Sequence, residues 1–181
     1  QVAVALPAPG LHYAVDATLA FGMANEILGS SLDFKSAAKA ISELPPVYGR
    51  GEIIEHRGSE IQIIMMKNLP SLQANLDALE STPKKVWISV DEGTPDPSWI
   101  YDIDLQMLSH ADVISGTKTY QWASRLAYEG KPHGKLIEDE NEALSYFLSL
   151  PGKRKTAIVN YEQMMWLRKK LGLLDLDGGN G

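Results

Sequence analysis

Residues 91–104, "DEGTPDPSWIYDID", set five carboxylates around a tryptophan and a tyrosine. They follow "KVWISV" at 85–90, whose branched and aromatic residues read as a buried strand. Such a loop has two readings: a solvated connection whose aspartates cap helices, or an anionic cluster offered to a site. Trp99 and Tyr101 suit packing over a sheet edge as well as ligand contact. Three further segments share this position at a strand exit. "KNLP" at 67–70 carries Lys67, a point charge able to meet a phosphate, and Asn68. "SGTKTY" at 115–120 opens a helix and can cradle an anion or simply form a turn. "NYEQ" at 160–163 opens another. In an open parallel α/β sheet, ligands gather outside the carboxyl ends of the strands, so all four belong to one rim.

The elements that must position these residues follow from periodicity and punctuation. Residues 2–6, "VAVAL", read as a strand; 11–28 as an alanine-rich helix stopped by Gly29; 33–44 as a second helix capped by Asp33. The stretch 45–51, "PPVYGRG", is the best domain boundary in the chain. Beyond it, "EIIEH" and "EIQIIMM" flank Arg57, Gly58 and Ser59 as a hairpin, and Ser71 starts a helix running to about Leu79. Strands at 85–90, 111–115, 135–137 and 155–160 then alternate with helices at 119–130, 140–150 and 161–172, while Asp104 is expected to cap a helix after the acidic loop. This alternation implies right-handed crossovers and a mainly parallel sheet covered on both faces.

Composition narrows the chemistry. With 181 residues and 44% hydrophobic content, the chain can bury a core without covalent staples. It has no cysteine, which excludes disulfides, thiolate zinc sites and cysteine nucleophiles within these residues. The net charge of −6 disfavours a nucleic-acid binder, and no apolar run is long enough to span a membrane. His12, His56, His110 and His133 show no metal-ligand spacing, and no metal site is expected. No GxxxxGK[ST], GxGxxG or GxSxG motif occurs.

Taken together, these stretches resemble the Mur ligase superfamily and, within it, the C-terminal part of MurT-type amidotransferase subunits. "GLHYAVDATLAFGMANEILG" is similar to the last helix of the Mur central domain, with Tyr13 and Asp16 where that pattern has asparagines. "VYGRGE" resembles the junction into the C-terminal domain, "KNLPSLQANL" the MurT-type KNP segment, and "DPSWIYDIDLQML" the D-x-SWI-[WY]-D-x-D-F-E-x-L pattern, the most specific match. "ADVISGTKTYQWASRLAYEG" and "NYEQMMWLRKKLG" resemble the segments that follow, so the likeness spans nearly the whole chain.

The resemblance implies a Rossmann-like α/β domain with an N-terminal hairpin, preceded by a strand-helix-helix remnant of a Mur central domain. It divides the chain into 1–46 (central-domain end), 47–175 (C-terminal domain) and 176–181 (tail). It implies an ATP-dependent ligase that amidates the D-glutamate α-carboxyl of lipid II, using ammonia from a GatD-like glutaminase partner. ATP and Mg2+ would serve the full-length protein, at the inner face of the membrane in the cytoplasm; none is expected to bind this chain alone, which lacks the phosphate loop. An aspartate of this domain would complete the partner's Cys–His site: Asp96 first, with Asp102 and Asp91 in reserve. Lys67, Asn68, Arg50 and His12 would face the nucleotide. The alternatives are an amino-acid-adding Mur ligase and a non-catalytic interaction module of the same fold.

Overall fold

The computed structural model describes residues 3–7, 10–45, 49–91 and 96–173. The expected tail at 176–181 and residues 46–48 of the boundary segment lie outside the described residues. Two helices come first, α1 (Leu11–Leu28) and α2 (Phe34–Ser42), joined through a 3-10 turn at Gly29–Ser31. Asp33 caps α2, accepting from the Lys35 N–H at 3.0 Å. Residues 3–6 are not strand as expected. Extended backbone is assigned as strand only when a neighbour completes its hydrogen-bond ladder, and the sheet offers these residues none. On α1, Leu11, Val15, Leu19, Met23 and Ile27 recur every fourth residue and are exposed. An apolar stripe at this spacing is the kind that normally packs against something.

The rest is a six-stranded sheet of order β1-β2-β6-β3-β4-β5. Its strands are β1 (Arg50–His56), β2 (Ser59–Met65), β3 (Val86–Ser89), β4 (Ala111–Ser115), β5 (His133–Leu136) and β6 (Arg154–Val159). β1 and β2 form the expected antiparallel hairpin, and every other pairing is parallel. The hairpin turns on Arg57 and Gly58, both with positive φ (47° and 80°). That is the backbone of a two-residue turn whose twist matches the strands it joins.

The connecting helices are α3 (Leu69–Asp77), α4 (Thr119–Tyr128), α5 (Glu140–Ser149) and α6 (Tyr161–Lys170). Helix α3 begins two residues before the expected Ser71. Asn68 is its cap, and Ser71 completes a reciprocal pair of cap hydrogen bonds from the third position. Helix α3, residues 99–108 and α4 bury Ile64, Leu72, Leu76, Ile88, Ile114 and Trp122 on one face. Helices α5 and α6 bury Ile61, Ile63, Trp87, Val113, Phe147 and Leu167 on the other. The mainly parallel sheet covered on both faces is therefore observed.

Two features tie this sandwich together. The first is the junction at 49–52. Gly49 has φ 71°, and a Cβ there would stand 2.4 Å from the Met164 sulfur and 2.7 Å from Met65 Cβ, so only glycine fits. Three residues on, Glu52 pairs with the buried guanidinium of Arg168 on α6. The second is a polar thread through the centre: the Trp87 indole N–H donates to Ser115 Oγ (2.8 Å), whose hydroxyl donates to Ser89 Oγ (2.8 Å). Trp87 is also packed against Phe147, centroids 5.3 Å apart. Because a buried donor left without its acceptor carries its full desolvation penalty, Ser115→Ala should lower unfolding free energy by about 1–3 kcal/mol. Urea denaturation followed by tryptophan fluorescence checks this; an unchanged midpoint would show that the thread contributes nothing.

Candidate functional site

Where β3 and β6 end side by side, the chain leaves toward opposite faces: into the acidic loop on one, into α6 on the other. This divergence is the crevice in which open α/β sheets hold ligands. The backbone there is tightly knit. The Lys118 N–H donates to Val90 O (3.1 Å), and Val90 N–H to Ser115 O (3.3 Å). Gly116, at φ 85°, would place a Cβ 2.3 Å from Val90 O, so "SGTK" needs its glycine to let the two exits touch. That structural demand accounts for the motif. A cavity of about 370 Å³ opens beside it, lined by Gly116, Thr117, Tyr120, Glu138 and Glu140.

Asp91 is half-buried in the crevice. Asn160, the cap of α6, donates its side-chain amide to Asp91 O at 3.2 Å. Gln163 donates to Asp91 Oδ2 at 3.4 Å and also to Glu140 Oε1. Thus α6 presents two amides that hold the first residue of the acidic loop. Residues 92–95 lie outside the described residues.

The loop re-emerges at Asp96, which is exposed. Its Oδ1 accepts the Ser98 N–H at 2.9 Å. That hydrogen bond, with one from the Ser98 side chain, holds its carboxyl below the usual carboxylate range. A 3-10 turn at Ser98–Tyr101 follows. From there the side chains divide by chemistry: Ile100, Ile103, Leu105 and Leu108 are buried, while Tyr101, Asp102 and Asp104 are exposed. Trp99 is half-buried against the same core. Asp104 does not cap a helix. It accepts the Gln106 N–H at 2.8 Å in a local turn, and β4 follows without an intervening helix. The short span to Ala111 leaves no room for one.

What fixes this loop is Arg125 of α4, only 2% exposed. Its Nε donates to Ile100 O (2.6 Å), its Nη2 to Ile103 O (2.7 Å) and its Nη1 to Glu129 Oε1 (2.7 Å). Sequence reasoning missed it. The available signal was Arg125 and Glu129 at i, i+4, with Trp122 and Leu126 marking the inward side of the helix. Gln163 was likewise visible only as part of a cap motif.

Of the expected nucleotide-facing residues, Lys67 is exposed where β2 ends and α3 begins. Asn68 sits beside it, but its amide oxygen accepts the Ser71 N–H (3.0 Å), so capping is its demonstrable role. Arg50 opens β1, and its side chain lies outside the described residues. His12 is in the first turn of α1, its ring 4.6 Å from that of Tyr13. Lys67 and Asn68 thus stand together at the start of α3, while His12 belongs to α1 and Arg50 to the start of β1. Asp91 stands at the exit of β3, Asp96 and Asp102 are exposed further along the same connection, and by Ile100 and Ile103 that connection has reached Arg125 in the second half of α4. Among the described residues no three His, Asp or Glu side chains group as metal ligands, and no helix is long and apolar enough to cross a membrane.

Sheet order, hairpin and rim define a Mur ligase-type C-terminal domain. Similar solved structures include MurC of Thermotoga maritima (TM-score 0.72, 16% identity), covering 95% of this chain and 39% of that one. MurF of Acinetobacter baumannii (0.67, 21% identity) covers 93% and 39%. The folylpolyglutamate synthase of Mycobacterium tuberculosis, solved with ADP and AMPPCP, has a TM-score of 0.64 at 15% identity, covering 95% and 42%. The chain thus spans about two-fifths of the length of these proteins. No curated protein is similar enough to count as a match. The family model "MurT ligase C-terminal" matches residues 65–164, and the chain belongs to that family.

Substituting Arg125 by Met keeps the aliphatic stem but leaves two buried carbonyls without donors. The expected loss is about 2–4 kcal/mol of stability. Amide exchange should accelerate at 98–104 more than in β6; equal acceleration everywhere would deny the guanidinium a local role.

Proposed function

We propose that this chain is the C-terminal part of an ATP-dependent amidotransferase subunit that converts the D-glutamate α-carboxyl of lipid II to D-isoglutamine. Ammonia would come from a GatD-like glutaminase docked on the carboxyl-end rim. The single observation that supports this reading best is an exposed, ionised Asp96 on a loop that the Arg125 guanidinium anchors. A thiol nucleophile needs an imidazole as base, and the imidazole needs an anion to hold its tautomer and orientation. Asp96 meets two requirements for that third member, charge and exposure. Asp102, exposed a few residues on, and Asp91, held by Gln163, are the next candidates.

Residues 1–46 would then be the end of a central domain, whose remaining surface would cover the exposed stripe on α1. Residues 47–175 would form the C-terminal domain, and 176–181 a tail. Lys67 would approach the transferring phosphoryl group of ATP as a point charge beside the α3 N-terminus, with Asn68 shaping that turn. ATP would supply the activation of the carboxylate and Mg2+ its charge neutralisation. His12 and Arg50 remain proposed nucleotide contacts. The cytoplasmic face of the membrane, where the lipid-linked substrate is presented, is the proposed place of action.

The test is glutamine hydrolysis by the full-length protein reconstituted with its glutaminase. Asp96→Asn should lower turnover by roughly 10²–10⁴-fold, as loss of a triad anion does. The carboxyl of Asp96 titrates below the ordinary range, so it is already ionised wherever imidazole acts as base. The acid limb of the wild-type pH profile should therefore follow the imidazole. Unchanged turnover for Asp96→Asn, with a loss in Asp91→Asn or Asp102→Asn, would move the role to that residue. ATP-dependent amino-acid addition without any glutaminase would overturn the reading altogether.

A further inference from the structure

The opposite rim of the sheet, at the amino ends of β2, β6 and β3, holds a groove of about 900 Å³. Its floor is sheet: Ile53 of β1, Gln62 of β2 and Thr156 of β6. One wall is the loop after α3 and the other the turn before β6. Five of the chain's 17 lysines and arginines line it, Lys84, Lys85, Lys153, Arg154 and Lys155, against two carboxylates, Glu60 and Glu80. In a chain of net charge −6 this local surplus of cations is the reverse of the average surface.

The cations are unequally neutralised. Glu60 pairs with both Lys153 and Arg154, and Glu55 also acts on Lys153. Lys85 reaches Asp112 at 3.4 Å. Lys155 is 3% exposed, and its ammonium donates to two neutral oxygens among the described residues, Ser59 Oγ at 3.0 Å and Gly152 O at 2.9 Å. In register with Ile61, Lys155 points to the opposite face of the sheet from Gln62 and Thr156, so the charge offered to the groove comes chiefly from Lys84 and Arg154. Lys84 is exposed on the facing wall.

We infer that this amino-end groove is a binding site for a phosphate-bearing ligand, separate from the carboxyl-end rim. The cations supply charge, and Arg154 a planar fork suited to phosphate oxygens. Cations on two walls favour a ligand with more than one anionic oxygen group, such as a diphosphate, over a lone carboxylate. The volume lies in the range of small-molecule sites, and Ile53, Leu79 and Pro83 offer apolar contact for the rest of the ligand. A nucleic acid duplex is disfavoured, because the cations stop at the groove edge and the chain as a whole is acidic.

The phosphoryl group can be free in solution or part of a lipid headgroup, and two arms separate these. The whole chain is titrated with inorganic pyrophosphate by calorimetry, and floated with phosphatidylglycerol or phosphatidylcholine vesicles. Saturable pyrophosphate binding, weakened at least tenfold in the Lys84→Gln/Arg154→Gln double variant, establishes the site with a soluble ligand. Binding to phosphatidylglycerol vesicles alone, with the same loss in the variant, establishes it with a headgroup. Both substitutions are at exposed positions and should leave the urea midpoint unchanged. Binding in neither arm, or affinity unaltered in the double variant, overturns the proposal. Neither readout depends on glutamine hydrolysis, so its failure and that of the amidotransferase reading are distinguishable.

Discussion

A single guanidinium determines where the acids of this domain can stand. The crossover from β3 to β4 carries no α-helix on the face that α3 and α4 otherwise cover; residues 98–108 fill that space with a 3-10 turn and irregular chain. Irregular backbone buried against a core leaves carbonyls that no helix ladder satisfies. Arg125 answers two of them, at Ile100 and Ile103, from within α4. Its third arm ends on Glu129, so a buried positive charge is hydrogen-bonded on every side and paired. The four apolar side chains of the loop then point inward, which leaves its aspartates only the outward direction.

The amide pair on α6 has the complementary effect at the loop's beginning. Asn160 and Gln163 occupy the cap and third positions of that helix, where side chains already bond backbone groups. Their geometry lets the same residues reach across from the end of β6 to the end of β3, adjacent strands whose chains diverge. The loop is therefore fixed at Asp91 by α6 and at residues 100–103 by α4. Charge is gathered between two anchors on opposite faces of the sheet.

Much of this was legible in the chain itself. Alternating apolar strands and helices gave the parallel sheet, and the helix starts expected at Ser71, Glu140 and Tyr161 fall within two residues of those observed. The hairpin was readable from "RG", because glycine after a polar residue accommodates positive φ. Other features were not legible. A strand at 3–6 was expected from composition, but pairing partners are a property of the sheet and not of the segment. Arg125 has the pattern of an exposed ion pair; only tertiary contact shows that it faces inward. The groove cations were invisible as a group, since 84–85 and 153–155 are far apart in sequence and meet only because β6 inserts beside β3.

That insertion also explains how one sheet can carry opposite charges without cancelling them. Strands β3 and β6 have four and six residues, so the rims are about 13–20 Å apart at about 3.3 Å per residue. At physiological salt, exposed charges are screened over about 8 Å. The acids of the carboxyl-end loop are therefore too distant to neutralise the amino-end lysines through solvent. Between them lies a core of Ile88, Ala157, Ile158 and Trp87, all buried, and the buried Arg125 and Arg168 beside it are each paired with a carboxylate. Each rim is thus an independent electrostatic surface. The acidic edge proposed to meet a partner's imidazole and the basic groove proposed to hold phosphate can coexist in one domain, because the sheet that positions both also holds them apart.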